Sequence, residues 1–278
     1  MGESVMLTFV TWKWNGDHWK KPTQYTAEHV NVLARMIARN YRGDHELVCI
    51  TDDPTGIDPG VRIVPLWKDP AGLGRCWRRL RVFTPEMGDI LAERFVSIDL
   101  DTVIVGDITP LFSGGEAFRI WGEYWRRTPY CASLMMMSAG MRAFVWDEFQ
   151  QRVDEIRRNN GARLPYGSDQ DHISRCLFPW EPMWTMADGV HNFNHTVRRW
   201  NRFQLTRKVD SKYHSAEYAR MYQDATGRGD WSEVIRHPRF EGNGEIPPGA
   251  RIIFFNGKYD PSDQVLQKEY PWIKENWR

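Results

Sequence analysis

The chain has 278 residues, of which 41% are hydrophobic and 13% aromatic, enough to bury a large core and too apolar for a disordered chain. Its 37 basic and 36 acidic side chains leave a net charge of +1, so bulk charge makes neither nucleic acid nor a membrane surface an obligatory partner. There is no run of about 18 apolar residues of the kind that spans a bilayer, and Cys49, Cys76, Cys131 and Cys176 lack the spacing of a zinc site or a disulfide framework.

Charges and tryptophans enter the first stretch, MGESVMLTFVTWKWNGDHWKK, too early to leave a secretory apolar core, and reduced thiols in the cytoplasm are expected. Val5 to Trp12 alternates as a first strand. Thr26 to Asn40 carries Val30, Leu33, Ala34 and Ile37 at helical spacing. Strands are expected at Glu46 to Ile50, before the turn-forming Thr51, Asp52, Asp53 and Pro54, and at Val61 to Leu66. This order predicts an open, mostly parallel α/β sheet with ligands at the carboxyl ends of its strands, where Thr11, Asp52 and Asp99 would share a rim.

Gly72 to Arg81, GLGRCWRRLR, predicts a helix that brings Arg75, Arg78, Arg79 and Arg81 towards that rim, either as phosphate-recognising forks or as a solvated face. The next stretch, FVSIDLDTVIV from Phe95 to Val105, is a buried ribbon interrupted by Asp99 and Asp101. An ionised carboxylate inside an apolar strand is costly to bury, so the first strand should end at the pair. Two carboxylates at a crevice mouth suit a hard divalent cation whose shell is completed by substrate phosphates. Asp107 is expected to cap a turn.

Strands follow at Phe118 to Trp121 and Ala132 to Met137, and an amphipathic helix at Ala143 to Arg157. In GSDQDH, from Gly167, Ser168 or Asp169 caps a helix, or Asp169 and Gln170 face the crevice and bond a sugar or an acceptor hydroxyl. Thr196 to Tyr213 mixes six basic residues with Trp200, Phe203 and Tyr213, which suits either a nucleic-acid strand or an ordinary surface. Arg251 to Phe255 predicts a last strand. Asn256, Gly257 and Lys258 open the loop behind it, where a glycine admits close backbone approach and a lysine can meet phosphate.

Taken together, the ITDD, GRCWRRLRVF, Asp-Leu-Asp and FFNGKYDP segments resemble GT-A-fold glycosyltransferases. More narrowly, they resemble bacterial and phage transferases related to the glycogenin and lipopolysaccharide galactosyltransferase group. The likeness runs from about Leu7 to Pro261. It implies one GT-A-like domain over 1–278, with a nucleotide-sugar half to about 130 and an acceptor half with the C-terminal metal and phosphate loop beyond. It implies Mn²⁺ or Mg²⁺ on Asp99 and Asp101, with Asp99 also reaching the ribose, and a nucleotide diphosphate sugar, UDP-sugar foremost, as donor. The donor would be lined by Thr11, Trp12, Asp52, Arg79, Gly257 and Lys258. Asp169 and Gln170 fall where sugar and acceptor meet, and the relatives mostly retain anomeric configuration. Asn256 stands where relatives carry a histidine ligand and offers a carbonyl oxygen instead, while Asp260 replaces a frequent lysine. The expected acceptor is a saccharide, such as a lipopolysaccharide core, or a hydroxymethylated base in phage DNA. The alternative is a non-catalytic module that binds a nucleotide sugar or glycan on a degenerate transferase fold.

Overall fold

The computed structural model describes residues 6–14, 25–68, 75–122, 128–159, 168–199, 220, 223 and 242–278. The first half winds as a parallel unit. Strand β1 (Leu7–Lys13) pairs parallel with β2 (His45–Thr51) on one side and with β4 (Arg94–Ile98) on the other, and β2 pairs parallel with β3 (Arg62–Pro65). Helix α1 (Ala27–Asn40) makes the crossover from β1 to β2. The strand order β3-β2-β1-β4 therefore reverses at β1. In sheets of this kind the crevice beyond the carboxyl ends at such a reversal is where ligands collect.

Three more strands extend the sheet to seven: β7 (Tyr130–Ser138) lies antiparallel to both β4 and β6 (Phe118–Gly122), and β8 (Met183–Trp184) runs parallel to β6. A second, three-stranded sheet has β10 (Ile252–Phe254) at its centre, antiparallel to β5 (Thr102–Ile104) and parallel to β9 (Val190–Asn192).

Because β1, β2 and β4 are covered on both faces, they read as apolar runs with little alternation. One face packs Phe9, Cys49, Val96 and Ile98 against Val30, Leu33, Met36 and Ile37 of α1 and against the small sheet. The other face packs Val10, Val48, Ile50 and Phe95 against Trp77, Leu80 and Phe83 of a 3-10 helix (Arg75–Phe83), with Ile173 and Leu177 of α4 (Asp169–Leu177). Helix α2 (Met87–Ile90) and helix α3 (Phe144–Asn159) complete this layer, and α5 (Gln264–Glu269) and α6 (Pro271–Asn276) close the chain. The indole of Trp121 in β6 stacks on Phe254 of β10 with centroids 4.7 Å apart, joining the two sheets.

Two expectations need correction and one holds. The arginine-rich segment forms a 3-10 helix from Arg75 to Phe83, because Trp77, Leu80 and Phe83 recur every third residue and all must face inward. As expected, the first strand ends at the acid pair; β5 then joins the other sheet. Thr11 stands within β1, opposite Cys49, rather than past its end.

Candidate active site

The acid pair lies where the chain passes from one sheet to the other. Asp99 follows the last residue of β4, and its N–H donates to the Ser133 carbonyl of β7 at 3.0 Å. Asp101 precedes β5, and its carbonyl accepts from the Phe255 N–H at 2.7 Å. Two residues apart, the acids are anchored to different sheets. Their side chains also have different partners.

Asp99 turns to the face of the 3-10 helix, where its Oδ1 accepts from Arg79 Nη1. The same guanidinium reaches Asp169, with Nη2 2.6 Å and Nε 2.8 Å from Oδ2. Arg79 is 8% exposed and Asp169 1%. Burial opposes the arginine's charge, but Asp169 and Asp99 more than offset this and hold it above its usual pKa. The other Asp169 oxygen accepts from the Gln170 N–H at 2.9 Å, and the Cys76 thiol bonds the same carboxylate. Burial, then the Asp169 charge, push that thiol up to about 12, so it is a donor at neutral pH and not a nucleophile. Ser168 supplies the local reason for the geometry: its hydroxyl accepts from the Asp171 N–H at 3.3 Å and starts α4 with Asp169 in its first turn.

Asp101 is 6% exposed and has its own partner, near the start of α1. The Tyr25 hydroxyl, just ahead of that helix, donates to its carboxylate. Burial first, and then the charges of Asp101, Asp99 and Asp260, raise the Tyr25 pKa well above its usual value, so its hydroxyl stays a donor. Asp260, from the loop after β10, accepts from His29 Nε2 at 3.2 Å and from the Ser262 N–H and hydroxyl at 2.9 and 2.7 Å.

The loop residues close the floor. Asn256 Oδ1 accepts from Asn192 Nδ2 at 2.9 Å, and its Nδ2 donates to Ser133 Oγ at 3.3 Å. Gly257 has φ +88°, a left-handed conformation that glycine adopts without strain. Lys258 is exposed, with its Nζ 5.1 Å from the Tyr259 ring centroid.

The remaining expected residues lie around the carboxyl ends of β1 and β2. Thr11 is fully buried, and its hydroxyl has no hydrogen-bond partner among the described residues. Trp12 is buried on the opposite face, donating to Ser97 Oγ at 3.3 Å with its ring edge-on to Trp67. Asp52 is exposed just past β2. Of the other arginines, Arg81 lies over Trp67, 5.1 Å from its centroid, rather than at the acids. From the basic aromatic stretch, residues 200–213 lie outside the described residues; Arg198 donates to the Tyr259 hydroxyl at 2.5 Å.

Among the described residues no group of three or more His, Cys, Asp or Glu side chains is arranged to hold a metal. The candidate set of Asp99, Asp101 and Asn256 is instead two carboxylates and an amide carbonyl, all oxygen donors, which fits a hard cation. Sequence reasoning missed Tyr25, His29, Cys76 and Ser133 as members of the site. None carries a local signal, since each is recruited through the tertiary fold.

The large, mostly parallel seven-stranded sheet flanked by helices defines the GT-A class of fold. No protein-family model and no curated protein matches the chain. Among solved structures, the chain is similar to galactosyltransferase LgtC in complex with donor and acceptor sugar analogues, with TM-score 0.53, 11% identity, and coverage of 98% of this chain and 95% of that one. It is also similar to the glycosyltransferase GlyE of Streptococcus pneumoniae TIGR4, with TM-score 0.52, 10% identity and 98% of this chain covered. The chain spans 62% of the length of GlyE. No described helix is long and apolar enough to cross a membrane.

Proposed function

We propose that the protein is a metal-dependent glycosyltransferase that moves a sugar from a nucleotide diphosphate to a hydroxyl group. The observation that carries this reading is the Arg79 guanidinium shared between Asp99, beside the sheet's reversal point, and Asp169 at the start of α4. It sets a fixed, largely buried array of a cation and two carboxylates beside the crevice, with the Asp99 carboxylate its more exposed end, 21% against 1% for Asp169.

In this reading residues to about 130 bind the donor, with Thr11, Trp12 and Asp52 towards the nucleotide, and residues beyond bind the acceptor. Asp99, Asp101 and Asn256 would hold Mn²⁺ or Mg²⁺, Asn256 through the lone pair that Asn192 leaves unused. When bound, the cation acts as a Lewis acid for the departing diphosphate. Gly257 offers its backbone and Lys258 its ammonium to the same phosphates. Arg79 orients the sugar, Asp169 keeps Arg79 in place, and Gln170 meets the acceptor hydroxyl. Transfer with retention and a saccharide or modified-DNA acceptor remain part of the proposal.

The test is release of nucleoside diphosphate from a panel of donors, with Mn²⁺ and with EDTA, against oligosaccharide and hydroxymethylated-DNA acceptors. Metal-dependent release by the wild type, abolished in Asp101→Ala, is the expected result. A specific feature favours a second reading: both oxygens of Asp169 are taken by Arg79 and Gln170. A donor that binds in calorimetry without turnover in any condition would make the protein a nucleotide-sugar or glycan binding module. With a DNA acceptor, activity should fall steeply with salt; with an oligosaccharide it should not.

A further inference from the structure

The backbone at Asp101 is fixed by its bond to Phe255, but that bond leaves the carboxylate free to rotate about its own axis. The Tyr25 hydroxyl donates to that carboxylate. Tyr25 is itself held. Its ring packs edge-on against His29 with centroids 5.4 Å apart, and the His29 ring meets Trp277 edge-on at the same separation.

Both nitrogens of His29 are committed. The Thr26 N–H donates to Nδ1 at 3.1 Å, so Nδ1 is the acceptor and the ring proton sits on Nε2, which donates to Asp260 at 3.2 Å. His29 is 4% exposed and Asp260 4%. The start of α1 thus grips two distant segments at once: the turn carrying Asp101, and the loop that runs from Asn256 to Asp260.

We infer that Tyr25 is a positioning residue for Asp101 and that the buried His29 and Asp260 pair holds the tyrosine to that task. The inference rests on reading Asp99 and Asp101 as a cation and diphosphate site. A donor on one carboxylate oxygen sets the direction of the other. Groups that orient metal ligands in this way typically change metal affinity 10- to 100-fold when lost.

The experiment uses Tyr25→Phe, which keeps the ring and removes only the hydroxyl. Free Mn²⁺ is titrated into the full chain and followed by electron paramagnetic resonance, with melting temperatures measured on the same samples. Weakening of Mn²⁺ binding by about 10-fold or more in Tyr25→Phe, without a matching loss of melting temperature, is the expected result. Asp260→Asn should shift affinity the same way by a smaller factor. Equal affinity in wild type and Tyr25→Phe overturns the inference while leaving the cation site standing. No Mn²⁺ uptake by the wild type overturns the cation site itself and the inference with it. A metal-free arm, a urea-unfolding double-mutant cycle of Tyr25→Phe with Asp101→Asn, should give a coupling distinct from zero; zero coupling also overturns the inference.

Discussion

Arg79 and Asp169 are nearly inaccessible to water, and each is the other's compensation. Removing the arginine alone strands a carboxylate in the interior, which typically costs about 3–5 kcal/mol, whereas removing both partners costs less. Arg79→Met should therefore unfold at lower urea than the double variant Arg79→Met with Asp169→Asn. Arg79→Lys should not restore function, because one ammonium cannot place Nε, Nη1 and Nη2 on two carboxylates. The Asp260 carboxyl makes a second prediction. Burial pushes it up, but His29 and Ser262 hold it down, from the usual 3.8 to about 2. A depressed folded-state pKa gives stability that is fully present above the unfolded value and is lost as pH falls from about 4 to about 2. The contribution is on the order of 2 kcal/mol. Acid unfolding of Asp260→Asn, followed by circular dichroism, should show a shallower slope across that window than the wild type. Asp99, Asp101 and Asp169 were legible in the sequence because each breaks a hydrophobic pattern or starts one. Tyr25 and His29 were not: they sit in an ordinary helix start, and only the return of the chain at Asp260 gives them partners.

At the scale of elements, Ser168 is the point of leverage. A serine cap removed to alanine typically costs about 1 kcal/mol. Here the cost falls on the turn that aims Asp169 at Arg79. Ser168→Ala should lower the melting temperature by roughly 2–4 °C and reduce turnover by more than that stability loss implies, a split read by comparing kcat with the unfolding midpoint. The long strands and α1 were legible because β-branched residues and helical spacing agree with the final packing. The second sheet was only partly so. Strand β9 of that sheet, like β8 at the edge of the first, has three residues or fewer, too short for alternation to register. The antiparallel direction of β7 depends on its pairing with β4 and β6, not on its own methionines.

For the molecule as a whole, the two sheets and the chain passing between them at Asp99 to Thr102 make binding and stability one problem. A ligand present at 100 times its Kd stabilises the folded state by about 2.7 kcal/mol. Mn²⁺ with UDP should then raise the melting temperature by roughly 5–10 °C in a thermal scan, and UDP with EDTA by much less. The α/β class followed from the order of elements, since a helix between parallel strands leaves few topologies open. That the chain changes sheets at the acid pair was not legible, because Thr102 to Ile104 is as apolar as any strand in the first sheet.

That change of sheet has a mechanical consequence. The Asp99 amide is fastened to Ser133 and the Asp101 carbonyl to Phe255, so a ligand that draws the two carboxylates towards one point is a clamp across the seam between the layers. Hydrogen–deuterium exchange should register it at a distance from the ligand. The Phe255 and Asp99 amides, and those of β10 behind them, should exchange more slowly in the liganded protein, while α3 on the far layer keeps its rate.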